Sequence, residues 1–111
     1  MIINRPSIRI YTCHADRDIL KEICAGIEEE GVLYEIEERQ ETELDVLCYD
    51  AANESVLGTG VGVAFSETGM QMKGVPKGRN LFEVSNPTSG QCRILGANAA
   101  RAVKRMPFRI F

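Results

Sequence analysis

A chain of 111 residues, 44% hydrophobic and 26% charged, can bury a core without a metal or disulfide staple, so residues 1–111 are expected to form one domain. It has no apolar run long enough for a membrane-spanning helix, and Met1-Ile2-Ile3-Asn4-Arg5-Pro6 lacks the long apolar stretch of a secretory signal, which makes the cytoplasm the expected location. The net charge of -3 conceals an asymmetry: eleven acidic residues and one basic residue, Arg39, between Glu28 and Glu54, against five basic and no acidic residues between Gly90 and Phe111. The basic end has no interleaved aromatics and the whole chain is acidic, which argues against nucleic acid as the partner. Such asymmetry marks either a partner surface or two solvated helix faces of opposite sign.

Ser7-Ile8-Arg9-Ile10-Tyr11-Thr12 alternates and is rich in β-formers, so it reads as the first strand. Asp16 is placed to cap a helix whose apolar stripe is Ile19, Leu20, Ile23, Cys24 and Ile27, and Gly31 to end it. Leu33 to Glu38 is a second strand with one acidic face. Glu41 to Asn53 is a second helix, carried by Leu44, Leu47, Cys48, Ala51 and Ala52. Val56 to Ala64 reads as a buried strand whose glycines, Gly58, Gly60 and Gly62, let a helix or another backbone come close. A turn is expected at Ser66-Glu67-Thr68-Gly69, then a fourth strand at Met70 to Lys73 that completes a hairpin. Leu81 to Val84 is the fifth strand, and a last helix runs from about Gly90 to Met106. This β-α-β-α-β-β-β-α order predicts an α/β fold, a five-stranded mixed sheet with one antiparallel strand and helices on both faces.

Three groups of residues are candidates for chemistry. The Gly58-x-Gly60-x-Gly62 run lacks the strand-to-helix position and the G-x-G-x-x-G spacing of a dinucleotide loop, so nucleotide binding is not expected there. Cys13 and His14, with Asp16 and Asp18, suggest a metal site or a thiol–imidazole pair. No second Cys/His cluster accompanies them, and neighbours on a strand point apart; a cap-and-loop role is the simpler account. Cys13, Cys24, Cys48 and Cys92 have no C-x-x-C spacing and are expected to be free thiols.

The third group is Glu28-Glu29-Glu30, three carboxylates at the negative end of the first helix, where the macrodipole disfavours them. A departure from a local rule is a place to look for function. At roughly 100° per residue, Glu30 lies roughly 50° from the helix's apolar direction, Glu28 roughly 110° and Glu29 roughly 150°. Glu29 is the outward carboxylate. One outward carboxylate cannot complete the coordination of a hard divalent cation, so any metal there needs ligands from another chain. The bland account is a solvated acidic helix end beside Lys21 and Arg39. In the last helix, Leu95, Ala99, Ala102, Val103 and Met106 share a face, Gly96, Ala97 and Ala100 permit close approach, and Lys104 and Arg105 suit the helix's negative end. Phe108, Ile110 and Phe111 form an apolar tail that must pack on this domain or on a partner.

Gly26-Ile27-Glu28-Glu29-Glu30-Gly31, placed after the first strand, together with Gly96, Asn98, Ala99, Ala100, Arg101, Val103, Lys104, Pro107, Phe108 and Arg109, resembles the small subunit of the glycerol/diol dehydratase reactivating factors. The element order fits over nearly the full length, while Cys13-His14-Ala15-Asp16 departs from that family's Gly- and Asp-containing turn. The resemblance implies a three-layer α/β/α fold similar to the dehydratase medium subunit. It implies a non-catalytic chain that partners a large, actin/heat-shock-like ATPase subunit, two of each in a heterotetramer, with ATP and ADP bound by the large subunit. The implied activity is release of damaged cobalamin from glycerol or diol dehydratase by subunit exchange. The middle glutamate of the triplet, Glu29 here, would be a single ligand to Mg2+ or a similar cation held by the large subunit. Glu28, Glu29, Glu30, Arg101 and Arg105 would form the partner surface. Two alternatives stand beside this: a medium-subunit-like component of a cobalamin-dependent dehydratase, and a small stand-alone α/β enzyme using Cys13, His14 and Asp16. Whether the substrate is glycerol or propane-1,2-diol, and whether the complex lies in a bacterial microcompartment, is left open.

Overall fold

Alternation along the first strand sets the layers. In the computed structural model, which describes residues 5–111, β1 (Ile8–Cys13) turns Ile8 and Ile10 into one apolar cluster and Tyr11 and Cys13 into another. The first cluster gathers Ile19, Ile23 and Ile27 of α1 (Arg17–Glu29) and Leu95 and Ala99 of α3 (Ser89–Lys104). The second gathers Leu44, Leu47, Cys48 and Ala51 of α2 (Leu44–Glu54). Two helices therefore cover one face of the sheet and one helix the other, the expected three layers.

The remaining strands are β2 (Tyr34–Glu38), β3 (Thr59–Ala64), β4 (Glu67–Met72) and β5 (Phe82–Ser85), and the sheet order is β2-β1-β3-β4-β5. β1 pairs in parallel with both β2 and β3, whereas β4 is antiparallel to β3 and β5. β4 alone runs against the rest, as the sequence implied. Gly60 and Gly62 do let a helix come close: a Cβ on Gly60 would lie 2.2 Å from the Ala52 backbone nitrogen, and one on Gly62 would lie 2.7 Å from Cys48 Sγ. Cys13, Cys24, Cys48 and Cys92 are free and buried.

Several boundaries differ from expectation. Pairing of Ala64 with Glu67 leaves Phe65 and Ser66 as the hairpin turn, with Phe65 in the left-handed region at φ 56°. Thr68 and Gly69, assigned to the turn from their residue types, are strand residues that pair with Val63 and Gly62 of β3, and the Thr68 hydroxyl also donates to the Gly62 carbonyl at 2.9 Å. Gly58 (φ 74°) makes the turn before β3 and approaches no helix, so the strand starts at Thr59 and not Val56. The second helix starts at Leu44 and not Glu41: Glu43 is still extended, and the Glu41 carboxylate accepts its N–H at 2.9 Å ahead of the helix. The last helix stops at Lys104, short of Met106, because Arg105 turns left-handed (φ 58°). Its start is a capping box: Gln91 N–H donates to Thr88 Oγ1 and Thr88 N–H to Gln91 Oε1, two otherwise unpartnered donors satisfied reciprocally.

Candidate functional site

The candidate site lies where α1 and α3 cross. The crossing has no side chain between the two backbones. A Cβ on Gly96 would lie 2.0 Å from the Ile23 carbonyl oxygen, and one on Gly26 would lie 2.2 Å from that of Arg93. This closeness brings the cations of α3 within reach of the carboxylates of α1. Arg93 donates to Glu22 at 2.7 Å through Nη2 and to Glu29 at 2.6 Å through Nη1. Arg101 Nε lies 3.2 Å from Glu30. Lys104 Nζ donates both to the Glu30 carboxylate at 2.9 Å and to the Glu30 backbone carbonyl at 2.8 Å.

These contacts answer the apparent violation at the end of α1. Its last carbonyls carry partial negative charge and lack intrahelical donors, and α1 has no basic residue of its own in its last turn. The neighbouring helix supplies the compensating cation. Glu29 and Glu30 of the acidic end are thus set against α3, and Arg39 pairs with Glu37 and Glu54 instead. Hydrogen bonding by Lys104, then by Arg101, holds the Glu30 carboxyl below the ordinary glutamate range.

The three glutamates have unequal freedom. Glu30 is only 14% exposed at its side chain, whereas Glu29 is 54% exposed, in the order the helical geometry predicts. Glu28 accepts the Tyr34 hydroxyl at 2.5 Å, a bond that raises the Tyr34 pKa. Arg101 faces Glu30 and also donates to the Pro107 carbonyl at 3.2 Å. Arg105 is exposed. Glu29, Glu30 and Arg101 therefore lie along the α1–α3 seam, with Arg105 at the end of α3, whereas Glu28 turns to Tyr34 of β2 on the other flank of α1.

Sequence reasoning overlooked Arg93 and Glu22. Their signal was present: Arg93, Ala97, Ala100, Arg101 and Lys104 follow helical spacing, so small residues and cations share a stripe, and such a stripe faces another helix. The tail also has an assignment. Asn98, fully buried, accepts the Arg109 N–H at 2.7 Å and donates to the Arg109 carbonyl at 3.1 Å. That clamp seats Phe108 and Phe111 against Phe82, with ring centroids 5.3 and 5.7 Å away. Ile110 stays 93% exposed. At the far end of α1, Asp16 caps the helix by accepting the Asp18 and Ile19 N–H groups at 2.9 and 3.2 Å.

The family model of the dehydratase medium subunit matches residues 5–109. The propanediol dehydratase-reactivating factor small subunit of Citrobacter freundii is 32% identical over 108 residues, 96% of this chain and 93% of that one. The diol dehydratase-reactivating factor small subunit of Klebsiella michiganensis is 30% identical over 105 residues, covering 94% and 84% of the two chains. Among solved structures, a chain of a diol dehydratase-reactivating factor complexed with ADP and Mg2+ superposes with a TM-score of 0.89 at 30% identity, over 96% of this chain and 99% of that one. A chain of a glycerol dehydratase reactivase gives a TM-score of 0.89 at 25% identity, over 96% and 98%.

Proposed function

Because this chain belongs to the dehydratase medium-subunit family, and within it to the small subunits of dehydratase-reactivating factors, we infer that it is the non-catalytic binding subunit of such a factor. In this reading residues 1–111 form one small-subunit domain that assembles with a large ATPase subunit, two copies of each. The factor works in the cytoplasm on a glycerol or diol dehydratase and exchanges a subunit with it, so that damaged cobalamin leaves. The observation that carries the exchange is the double likeness: a chain built like a dehydratase medium subunit, yet full-length kin of reactivating-factor chains. Such a chain fits the surface on the large subunit that the dehydratase subunit would take in its place.

Nucleotide binding and hydrolysis are assigned to the large subunit. The relative solved with ADP and Mg2+ supports nucleotide use by the factor. In this chain the alternating glycines of β3 are packed under α2, which leaves a phosphate no access to their backbone. Glu29 is assigned as the single ligand offered to a divalent cation held by the partner. Its side chain is half exposed and, among the described residues, is tied by Arg93, and an exposed pair of that kind is worth about 0–1 kcal/mol, little enough to give up on docking. Glu28, Glu30, Arg101 and Arg105 form the surrounding contact surface.

The test is recovery of partners by the full chain from its native cytoplasm, with magnesium and with a chelator. Wild type is expected to bring down an ATPase-sized chain, and Glu29→Ala or chelation to weaken that recovery. Absence of any large partner in both conditions would overturn the subunit assignment. Undiminished recovery by Glu29→Ala would overturn the metal bridge alone.

A further inference from the structure

The end of β1 carries a cluster that the small-subunit role does not employ. Cys13 Sγ, a ring nitrogen of His14 and a carboxylate oxygen of Glu38 lie within 4.8 Å of one another. Parallel pairing of Thr12 with Glu38 sets the ends of β1 and β2 side by side, which is how residues far apart in the chain meet. Strand alternation would send Cys13 and His14 to opposite faces. His14 instead takes a left-handed backbone, φ 48°, which breaks the alternation and returns its ring to the side of Glu38.

A non-glycine residue in that region costs on the order of 1 kcal/mol or more and persists where its surroundings over-determine it. Here the His14 N–H donates to Glu38 Oε2 at 3.0 Å, and the His14 ring lies 5.6 Å from the Phe65 ring. The other Glu38 oxygen accepts the hydroxyl of buried Thr12 at 2.7 Å. These two hydrogen bonds, that from His14 first, hold the Glu38 carboxyl below its ordinary range. They also orient it, as outer hydrogen bonds orient the carboxylates of metal sites.

We propose that Cys13, His14 and Glu38 form a binding site for a borderline-soft divalent cation of the zinc type, with one coordination position left open. Thiolate, imidazole and carboxylate together select such an ion, whereas magnesium and calcium take oxygen ligands. Three protein ligands and one open position make an exchangeable site, not a closed structural one. Bond lengths of about 2.0–2.3 Å set tetrahedral donors about 3.5 Å apart, so the cluster draws in by about 1 Å on binding. Exposed His14 and Glu38 provide that movement and the entry path, while buried Cys13 stays fixed. The site sits at the opposite end of α1 from Glu29 and needs no partner chain.

The full chain, reduced and stripped of metal, is titrated with zinc and with cobalt(II). One ion per chain is expected, with a thiolate-to-cobalt charge-transfer absorption in the near ultraviolet. His14→Gly suits the left-handed backbone and Glu38→Gln keeps the side-chain shape, so both should fold; each is expected to weaken binding at least tenfold. Thr12→Val, which removes only the orienting hydroxyl, should weaken it about tenfold, and Ile110→Ala, at a 93% exposed tail residue, should leave it unchanged. No charge-transfer band, or equal affinity in wild type, His14→Gly and Glu38→Gln, would overturn the site.

Discussion

Glu30 gathers on one residue the two acceptors that Lys104 Nζ satisfies together, its carboxylate and its backbone carbonyl. Because those cations depress its folded pKa, Glu30 contributes stability above the unfolded glutamate value of about 4.3. That contribution is lost as pH falls through the lower folded value. Urea denaturation should show Glu30→Gln less stable than wild type at pH 7, with the gap narrowing as pH falls below the unfolded glutamate value of about 4.3. Glu38 and Glu54 are depressed as well, so the variant keeps a residual acid dependence. Neither the direction nor the cause was legible locally: Glu30 was visible as a misplaced charge, but the residues that neutralise it lie more than sixty positions downstream.

At the scale of elements, the glycines of the α1–α3 crossing decide whether the charge pairs can form. Two effects oppose each other in Gly96→Ala. Alanine favours an isolated helix by about 1 kcal/mol. Its Cβ would meet the Ile23 carbonyl at 2.0 Å, and backbone cannot give way as a side chain's end can. Overpacking should win, with a net loss of about 2 kcal/mol in urea denaturation. The crossing was half legible: Gly96, Ala97 and Ala100 announced close approach without naming what approaches. The capping box of Thr88 and Gln91 is written in the sequence as Thr-x-x-Gln, and it sets the start of α3 at Ser89, one residue before Gly90. The hairpin turn was misjudged for a different reason. Phe65 has no turn preference, and it sits at positive φ because flanking strand pairing, with the Phe65 N–H bonded to the Cys13 carbonyl at 2.9 Å, holds it there.

Across the whole molecule, three of the five cations of the basic end meet carboxylates of α1. Arg93, Arg101 and Lys104 face Glu22, Glu29 and Glu30, so the basic end is not a free cationic surface. The C-terminal tail is divided in the same way between inward and outward residues. Phe108 packs edge-on against Phe82 of β5, while Ile110 is exposed. Thermal or urea unfolding should therefore show Phe108→Ala costing about 1 kcal/mol, roughly half the value of a fully buried ring. Ile110→Asp should stay within about 0.5 kcal/mol of wild type. A similar cost for both would mean that the tail does not dock as described.

Sequence alone determined the order of elements, the three layers, the single antiparallel strand and the outward position of Glu29. These follow from local periodicity, caps and turn residues, which each short segment carries within itself. The tertiary structure decided which charges neutralise the end of α1, how Asn98 clamps the tail, and that Glu38 joins Cys13 and His14. Those pairings join residues between 11 and 74 positions apart. Most bridge separate elements, and nothing in a short window of sequence encodes which element becomes the neighbour of which.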